Sequence, residues 1–180
     1  LFAFLYTTFF SYRGLGDLLV LVFFGVVPVY FTWYVCIPKA LQGFNVWALT
    51  AGIGCGLVID TLLLVNNYRD RDNDKRDGKI TLVVRIGARR TEQLYLYLPT
   101  LAEIIIFSIV MFNTSKPLLA AAIFIVLSAL YFIPHTRTTN KLVAINHGKA
   151  LNIVLGMTAR DMLVFGLVSA LQIILLYNPV

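Results

Sequence analysis

Five apolar runs, each close to the length that crosses a bilayer, restrict this chain to one environment. Residues 18–37 carry no charge. Residues 44–65 carry one acid, Asp60. Residues 94–112 contain Pro99 and Glu103, residues 118–133 are short but continuous, and residues 161–177 close the chain. About 20 consecutive apolar residues span the hydrocarbon core. Lipid cannot satisfy an open strand edge, and none of the runs alternates with period two, so each reads as a helix. Hydrophobic residues make up 59% of the 180 and charged residues 13%, against roughly 45–50% and 25% in soluble domains. A soluble enzyme, a disordered tail and a nucleic-acid-binding domain are excluded, in spite of a net charge of +6. Cys36 and Cys55 lie in or at the end of apolar runs and read as small hydrophobes.

The connections alternate in character. Residues 36–43 and 113–117 hold one cation each, Lys39 and Lys116. Residues 12–17, 66–93 and 134–160 hold the other thirteen of the fifteen Lys and Arg. The positive-inside rule puts these three on the cytoplasmic side, and five crossings then alternate without conflict. The expected fold class is all-α, a multi-spanning transmembrane helical bundle with five complete spans. Residues 1–10 are apolar but too short to span and read as the tail of an earlier helix. Residues 1–180 then form a single transmembrane domain, the C-terminal part of a larger bundle. Asp17 reads as the N-cap of the first span, with Gly14 and Gly16 in the turn before it. Pro99 sits one turn into its helix. Asp60 and Glu103 are intramembrane acids, read first as buried structural partners and second as members of an ion path. His135 and His147 read as solvated loop residues.

The chemistry concentrates where the second span reaches the cytoplasm, in Asn66-Asn67-Tyr68-Arg69-Asp70-Arg71-Asp72-Asn73-Asp74. If the helix continues for two turns, Asn66, Asp70 and Asp74 fall at i, i+4 and i+8 on one face. Carboxylates at that spacing repel each other, and a divalent cation reverses the sign. Mg²⁺ takes one or two carboxylates and completes its shell with water and phosphate oxygens. Asp70 and Asp74 are the expected metal ligands. Lys79 and Arg85 suit a diphosphate. The bland alternative is a solvated charged loop. Asp70-x-Asp72-x-Asp74 fails as an EF-hand, because Lys75 stands where Gly belongs and Thr81 where Glu belongs. Asp74-x-x-Asp77-Gly78 fits the CDP-alcohol phosphotransferase signature only at its start. The loop after Gly78 is expected to fold over the mouth of a cavity shared by Asn66, Asp70 and Asp74, with a short helix near residues 81–90.

Asn66-Asn67-x-Arg69-Asp70-x-Asp72-x-Asp74, followed by Gly78-Lys79-x-Thr81-Leu82-x-Val84-Arg85-x-Gly87, resembles the second aspartate motif of the UbiA superfamily of intramembrane prenyltransferases. It is most similar to the MenA-type 1,4-dihydroxy-2-naphthoate polyprenyltransferases. Tyr12-Arg13-Gly14-Leu15-Gly16-Asp17, Thr32-Trp33-Tyr34, Leu151-Asn152, Thr158-Ala159-Arg160 and Phe165-Gly166 extend the resemblance.

The resemblance implies a UbiA-like bundle of about nine helices around a cavity open to the lipid, with two facing aspartate motifs. It implies a Mg²⁺-dependent aromatic prenyltransferase, with residues 66–93 as a cytoplasmic active-site loop. Asp70, Asp74 and Asn66 would be catalytic, with Asp70 and Asp74 on the metal; Lys79, Arg85 and Asp72 would serve the substrate side. Asp72, on another helix face, would act in support. The substrates would be a polyprenyl diphosphate and 1,4-dihydroxy-2-naphthoate, the partner the lipid bilayer and not nucleic acid, and the location a bacterial cytoplasmic membrane. An Asn-Asp-x-x-Asp-like first motif is missing, so the chain alone would hold half the site. Arg137 and Arg160 read as positive-inside anchors before they read as partners of an aromatic carboxylate. Relatives acting on 4-hydroxybenzoate, homogentisate or a porphyrin, and a non-enzymatic transporter with Asp60 and Glu103 on an ion path, stand as the alternatives.

Overall fold

The computed structural model describes residues 14–176. The apolar segment at residues 1–10, Tyr12, Arg13 and the end of the chain from Tyr177 lie outside the described residues. Five helices are long and apolar enough to cross a membrane. They are α1 (Gly16–Cys36), α2 (Val46–Arg76), α4 (Ala88–Phe112), α5 (Pro117–Ile145) and α6 (Asn152–Leu176), the last preceded by a 3₁₀ turn at Lys149–Leu151. A short helix, α3 (Leu82–Ile86), lies between α2 and α4. No strand occurs among the described residues. The expected all-α membrane bundle is what the chain forms.

Helix α2 is the centre, packed against α1, α3, α4 and α6. One apolar core joins Leu57 and Val58 to Ile106, Phe124, Tyr131 and Phe165. A second, nearer the loop at residues 77–81, joins Leu64, Val65 and Tyr68 to Val83, Tyr95, Leu142 and Leu151. At 31 residues α2 is the longest helix, about 46 Å at 1.5 Å per residue. It therefore outreaches a hydrocarbon core of about 30 Å.

The α1–α2 seam is made by glycine. A Cβ on Gly25 would stand 2.3 Å from Gly56 Cα, and one on Gly56 would stand 2.6 Å from the Leu21 carbonyl oxygen. Small residues let membrane helices approach this closely, and dispersion then holds them. Beside the seam, α1 widens into a π turn at Leu21–Val26. Pro28 explains it: the ring has no N–H for the Phe24 carbonyl and crowds that oxygen. The same register sets Asp17 beside Asp60, and each keeps one buried Oδ1 without a hydrogen-bond partner.

Several expectations need correction. Asp17 is not the N-cap: α1 starts at Gly16, Leu15 takes the cap position, and no side chain caps the helix. Pro99 is three turns into α4, because that helix begins at Ala88 rather than residue 94. Residues 134–145 are not a connection, since α5 runs through Pro134 to Ile145. His135 is buried, at 1% exposure. It stacks between Tyr95 and Tyr131 with ring centroids 5.0 and 5.4 Å away. Pro99 deprives the Tyr95 carbonyl of its helical donor, and the His135 imidazole meets that main-chain group instead.

Glu103 is a structural partner. Ser128 donates to its Oε2 at 2.8 Å, and Gln172 reaches Ser128 Oγ at 2.9 Å, so the trio ties α4, α5 and α6. These bonds take one Glu103 oxygen, and Oε1 stays buried without a hydrogen-bond partner.

Gly56→Ala should push α1 away from α2. Overpacking costs about 1–3 kcal/mol, which outweighs the helix-propensity gain of up to about 1 kcal/mol. Thermal unfolding in detergent should show a lower midpoint than wild type. Gly43→Ala, where an added Cβ meets nothing within 4 Å, should leave the midpoint unchanged. Equal midpoints for Gly56→Ala and wild type would contradict the close seam.

Candidate active site

The last three turns of α2 carry the acidic column out of the apolar layer. Asn66 lines a cavity of about 480 Å³ with Val20 and Phe24 of α1, Ile59, Leu62 and Leu63 of α2, and Leu155 of α6. Asp70 and Asp74 do not line it. The expectation of one cavity shared by all three is corrected: Asn66 marks the cavity's polar end, and the two acids follow one and two turns further along the helix. The reason is the length of α2, which carries Asp70 and Asp74 beyond the groove between α1 and α2.

Each acid is matched to a cation. Arg69 forks onto Asp70, with Nε 2.8 Å from Oδ1 and Nη2 2.6 Å from Oδ2. The same Nη2 donates to Asn66 Oδ1 at 2.9 Å, and Nη1 donates to Asn152 Oδ1 at 2.9 Å. Lys79 Nζ lies 3.2 and 3.3 Å from the two Asp74 oxygens. Lys79 is in reach because the chain doubles back. Gly78 adopts φ 71°, the Lys79 N–H donates to the Asp74 carbonyl, and the Gly78 N–H donates to the Lys75 carbonyl. That is a Schellman ending, which satisfies carbonyls the helix leaves open.

The segment after Gly78 folds against the start of α1. A Cβ on Gly14 would stand 3.1 Å from the Ile80 carbonyl oxygen, and 3.7 Å from Arg85 Nη2. Thr81 caps α3 by accepting from the Val84 N–H at 3.2 Å. The expected short helix is confined to Leu82–Ile86, because Gly87 at φ 79° breaks the path before α4. Arg85 thus sits near the Gly14 turn. Asp72 is exposed on another face of α2, as its spacing implied.

Two contacts that sequence reasoning missed hold the column in place. Arg71 lies 4.3 Å over the Tyr68 ring and donates to the Asn146 carbonyl at 2.6 Å and to Asn146 Oδ1 at 2.7 Å. The Tyr68 hydroxyl donates to Glu92 Oε1 at 2.5 Å. Arg71 and Arg69 together fasten the end of α2 to the α5–α6 corner, where Asn146 adopts φ 61°. Arg160 is committed to Asp161, with Nη2 2.6 Å from Oδ1. Arg137 is exposed.

The donor set suits a hard divalent cation. Two carboxylates and an amide oxygen stand in a column, and Mg²⁺ sites use few protein ligands when phosphate supplies the rest. Among the described residues no three acidic, His or Cys side chains converge on one point.

The fold and site define a helical membrane protein with an acidic, cation-balanced site where one long helix leaves the bilayer. The model of the UbiA prenyltransferase family matches residues 1–147, and the chain belongs to that family. A 1,4-dihydroxy-2-naphthoate octaprenyltransferase of Escherichia coli (strain K12) is 40% identical over 78 residues, 43% of this chain and 24% of that protein. One of the same name from Mycobacterium tuberculosis is 40% identical over 98 residues, 54% of this chain and 32% of its own length. The UbiA prenyltransferase domain-containing protein 1 of Ailuropoda melanoleuca is 31% identical over 164 residues, 89% of this chain and 45% of that protein. The chain thus spans between about a quarter and under half of the length of these relatives. No solved structure matches it.

Arg71→Ala should loosen the α5–α6 corner. A hydrogen bond to a charged group contributes about 1.5–3 kcal/mol, so amide exchange at residues 146–151 should speed up about 10-fold or more. Asp72→Ala should leave that exchange unchanged. Unaltered exchange in Arg71→Ala would show that the corner is held by other contacts.

Proposed function

We propose that the intact protein transfers a polyprenyl group from a polyprenyl diphosphate to 1,4-dihydroxy-2-naphthoate, releasing CO₂ and diphosphate and giving demethylmenaquinol. The observation that carries this reading is the acidic column of Asp70 and Asp74 directly beyond an apolar cavity whose polar end is Asn66. Family membership supports the prenyl donor. The naphthoate acceptor rests on the relatives named for it and on the flanking motifs. Relatives acting on other aromatic rings remain the second reading for the acceptor alone.

In this reading Asp70 and Asp74 hold Mg²⁺, with Asn66 in support. Bound there, Mg²⁺ would supply Lewis-acid stabilisation for the charge on the departing diphosphate. Lys79 already stands over Asp74 and takes a phosphate oxygen as a mobile point charge. Arg85 reaches the same ligand from α3. The prenyl tail lies along Val20, Phe24, Ile59, Leu62, Leu63 and Leu155, which offer it only carbon surface. That dry wall keeps water from the allylic carbon as its bond to oxygen breaks, so the electron-rich naphthoate ring is the nucleophile that reaches it. The first aspartate motif that the resemblance implies, on an earlier helix, would complete the diphosphate clamp. The site then faces the cytoplasm, a side that the cation distribution supports, in a bacterial membrane, which the bacterial relatives support.

Two measurements test this reading. Asp70→Asn keeps the shape of the side chain and removes its charge, and loss of one strong electrostatic stabiliser lowers kcat about 10²-fold or more. Lys39→Gln, at the opposite end of the bundle, should retain activity. Formation of prenylated naphthoquinol at saturating Mg²⁺, in protein shown to be folded by gel filtration, is the assay. Near-normal turnover in folded Asp70→Asn would remove Asp70 from the site. For topology, single cysteines at positions 73 and 113 should label from opposite sides of the membrane. Labelling from the same side would refute the orientation.

A further inference from the structure

One guanidinium nitrogen occupies a revealing place. Arg69 Nη2 lies 2.6 Å from Asp70 Oδ2 and 2.9 Å from Asn66 Oδ1, bridging two oxygens that stand one helical turn apart. These are oxygens that the proposed function gives to the metal and to its support. Nε takes the other Asp70 oxygen at 2.8 Å, so the fork engages the whole carboxylate. The remaining nitrogen, Nη1, reaches across to Asn152 at the start of α6. The Arg69 side chain is about one quarter exposed, so the head has solvent into which it can swing.

We infer that Arg69 is a built-in stand-in for the metal: its guanidinium holds Asp70 and Asn66 in ligating position while no metal is bound, and leaves them for the diphosphate when metal and diphosphate enter together. This rests on the proposed metal role of Asp70. The physical argument is one of like charge and shared oxygens. Mg²⁺ takes oxygen ligands at about 2.0–2.1 Å, and a guanidinium bonded to the Asp70 carboxylate and its Asn66 support competes for them. Metal alone must displace a bidentate, charge-assisted pair, which is among the stronger contacts at a protein surface. Metal accompanied by diphosphate gives the displaced guanidinium a pair of anionic phosphate oxygens to bind, and the planar fork of arginine matches that pair better than lysine does. Arg69 therefore opposes metal without substrate and favours metal with substrate. The Asn152 contact gives the freed head a fixed pivot at the edge of α6. Arg69 is a positioning residue in this scheme: it sets when the ligands become available and then adds a donor to the diphosphate.

The test uses the intact, purified protein and two probes, Mn²⁺ in place of Mg²⁺ and inorganic diphosphate. Equilibrium dialysis gives the Mn²⁺ affinity alone, and the labelled diphosphate affinity at fixed free Mn²⁺. Arg69→Gln should bind Mn²⁺ alone about 5-fold or more tightly than wild type and bind diphosphate about 10-fold more weakly. Arg69→Lys keeps the charge without the fork, so its diphosphate affinity should fall between the two. A merely structural arginine would not move the two affinities in opposite directions. If Arg69→Gln leaves both affinities within twofold of wild type, or weakens both, while Asp70→Asn abolishes Mn²⁺ binding, the stand-in role is overturned and the metal site stands. If Asp70→Asn binds Mn²⁺ as wild type does, the stand-in role and the metal reading both fall.

Discussion

Lipid offers a buried polar atom no water, so a polar group inside the bundle is costly without a protein partner, and the partnerships that do form set how the helices are arranged. Glu103, Ser128 and Gln172 tie three helices in mid-bundle. Tyr95 bonds Thr158 across α4 and α6 at 2.7 Å. Thr138 of α5 bonds Asp161 of α6 at 2.5 Å. His135 takes up the carbonyl that Pro99 leaves open. These groups fix the scaffold, while Glu103 Oε1, His135 Nε2 and Gln172 Oε1 stay buried without a hydrogen-bond partner. The polar column at the end of α2 stands apart from these mid-bundle contacts.

Helix α2 links scaffold and site because it is one continuous rod. Its first turns form the glycine seam with α1, its middle fills both apolar cores, and its last turns carry Asn66, Asp70 and Asp74. A site on a helix holds its groups more closely than a site on a loop. The Schellman turn at Gly78 then returns Lys79 to Asp74, and Arg69 and Arg71 fasten the column to the α5–α6 corner. The cost of placing two carboxylates one turn apart is offset by two cations from the same stretch of chain.

Helix number and the acidic column were legible in the sequence, because apolar length and i, i+4 spacing report directly on helices and their faces. Helix extent was not. The apolar pattern stops where lipid stops, whereas α2 and α5 continue through polar residues that side chains such as Arg71 and Thr138 satisfy. His135 was misread for that reason: with Pro134 taken as a break, it fell in a loop. The signal that could have corrected it was Pro99, a helix-interior proline that frees a carbonyl and calls for a donor on a neighbouring helix. The α1–α2 contact was readable in principle from Gly25 and from Gly52 and Gly56, which stand four apart on one face of α2. Arg69 was hidden differently. It neighbours Asp70 in sequence, and nothing in the pattern says that its head bridges Asn66, Asp70 and Asn152 at once.

The central claim is that the acidic end of α2 and the apolar cavity below it form one substrate site. A structure of the intact protein in lipid, with Mg²⁺ and a non-hydrolysable polyprenyl thiodiphosphate, tests it most directly. The account predicts phosphate density beside Asp70 and Asp74, and a tail running past Asn66 along Val20, Phe24, Ile59 and Leu155. A ligand bound with its phosphates away from Asp70 and Asp74, or with its tail outside that cavity, would contradict it.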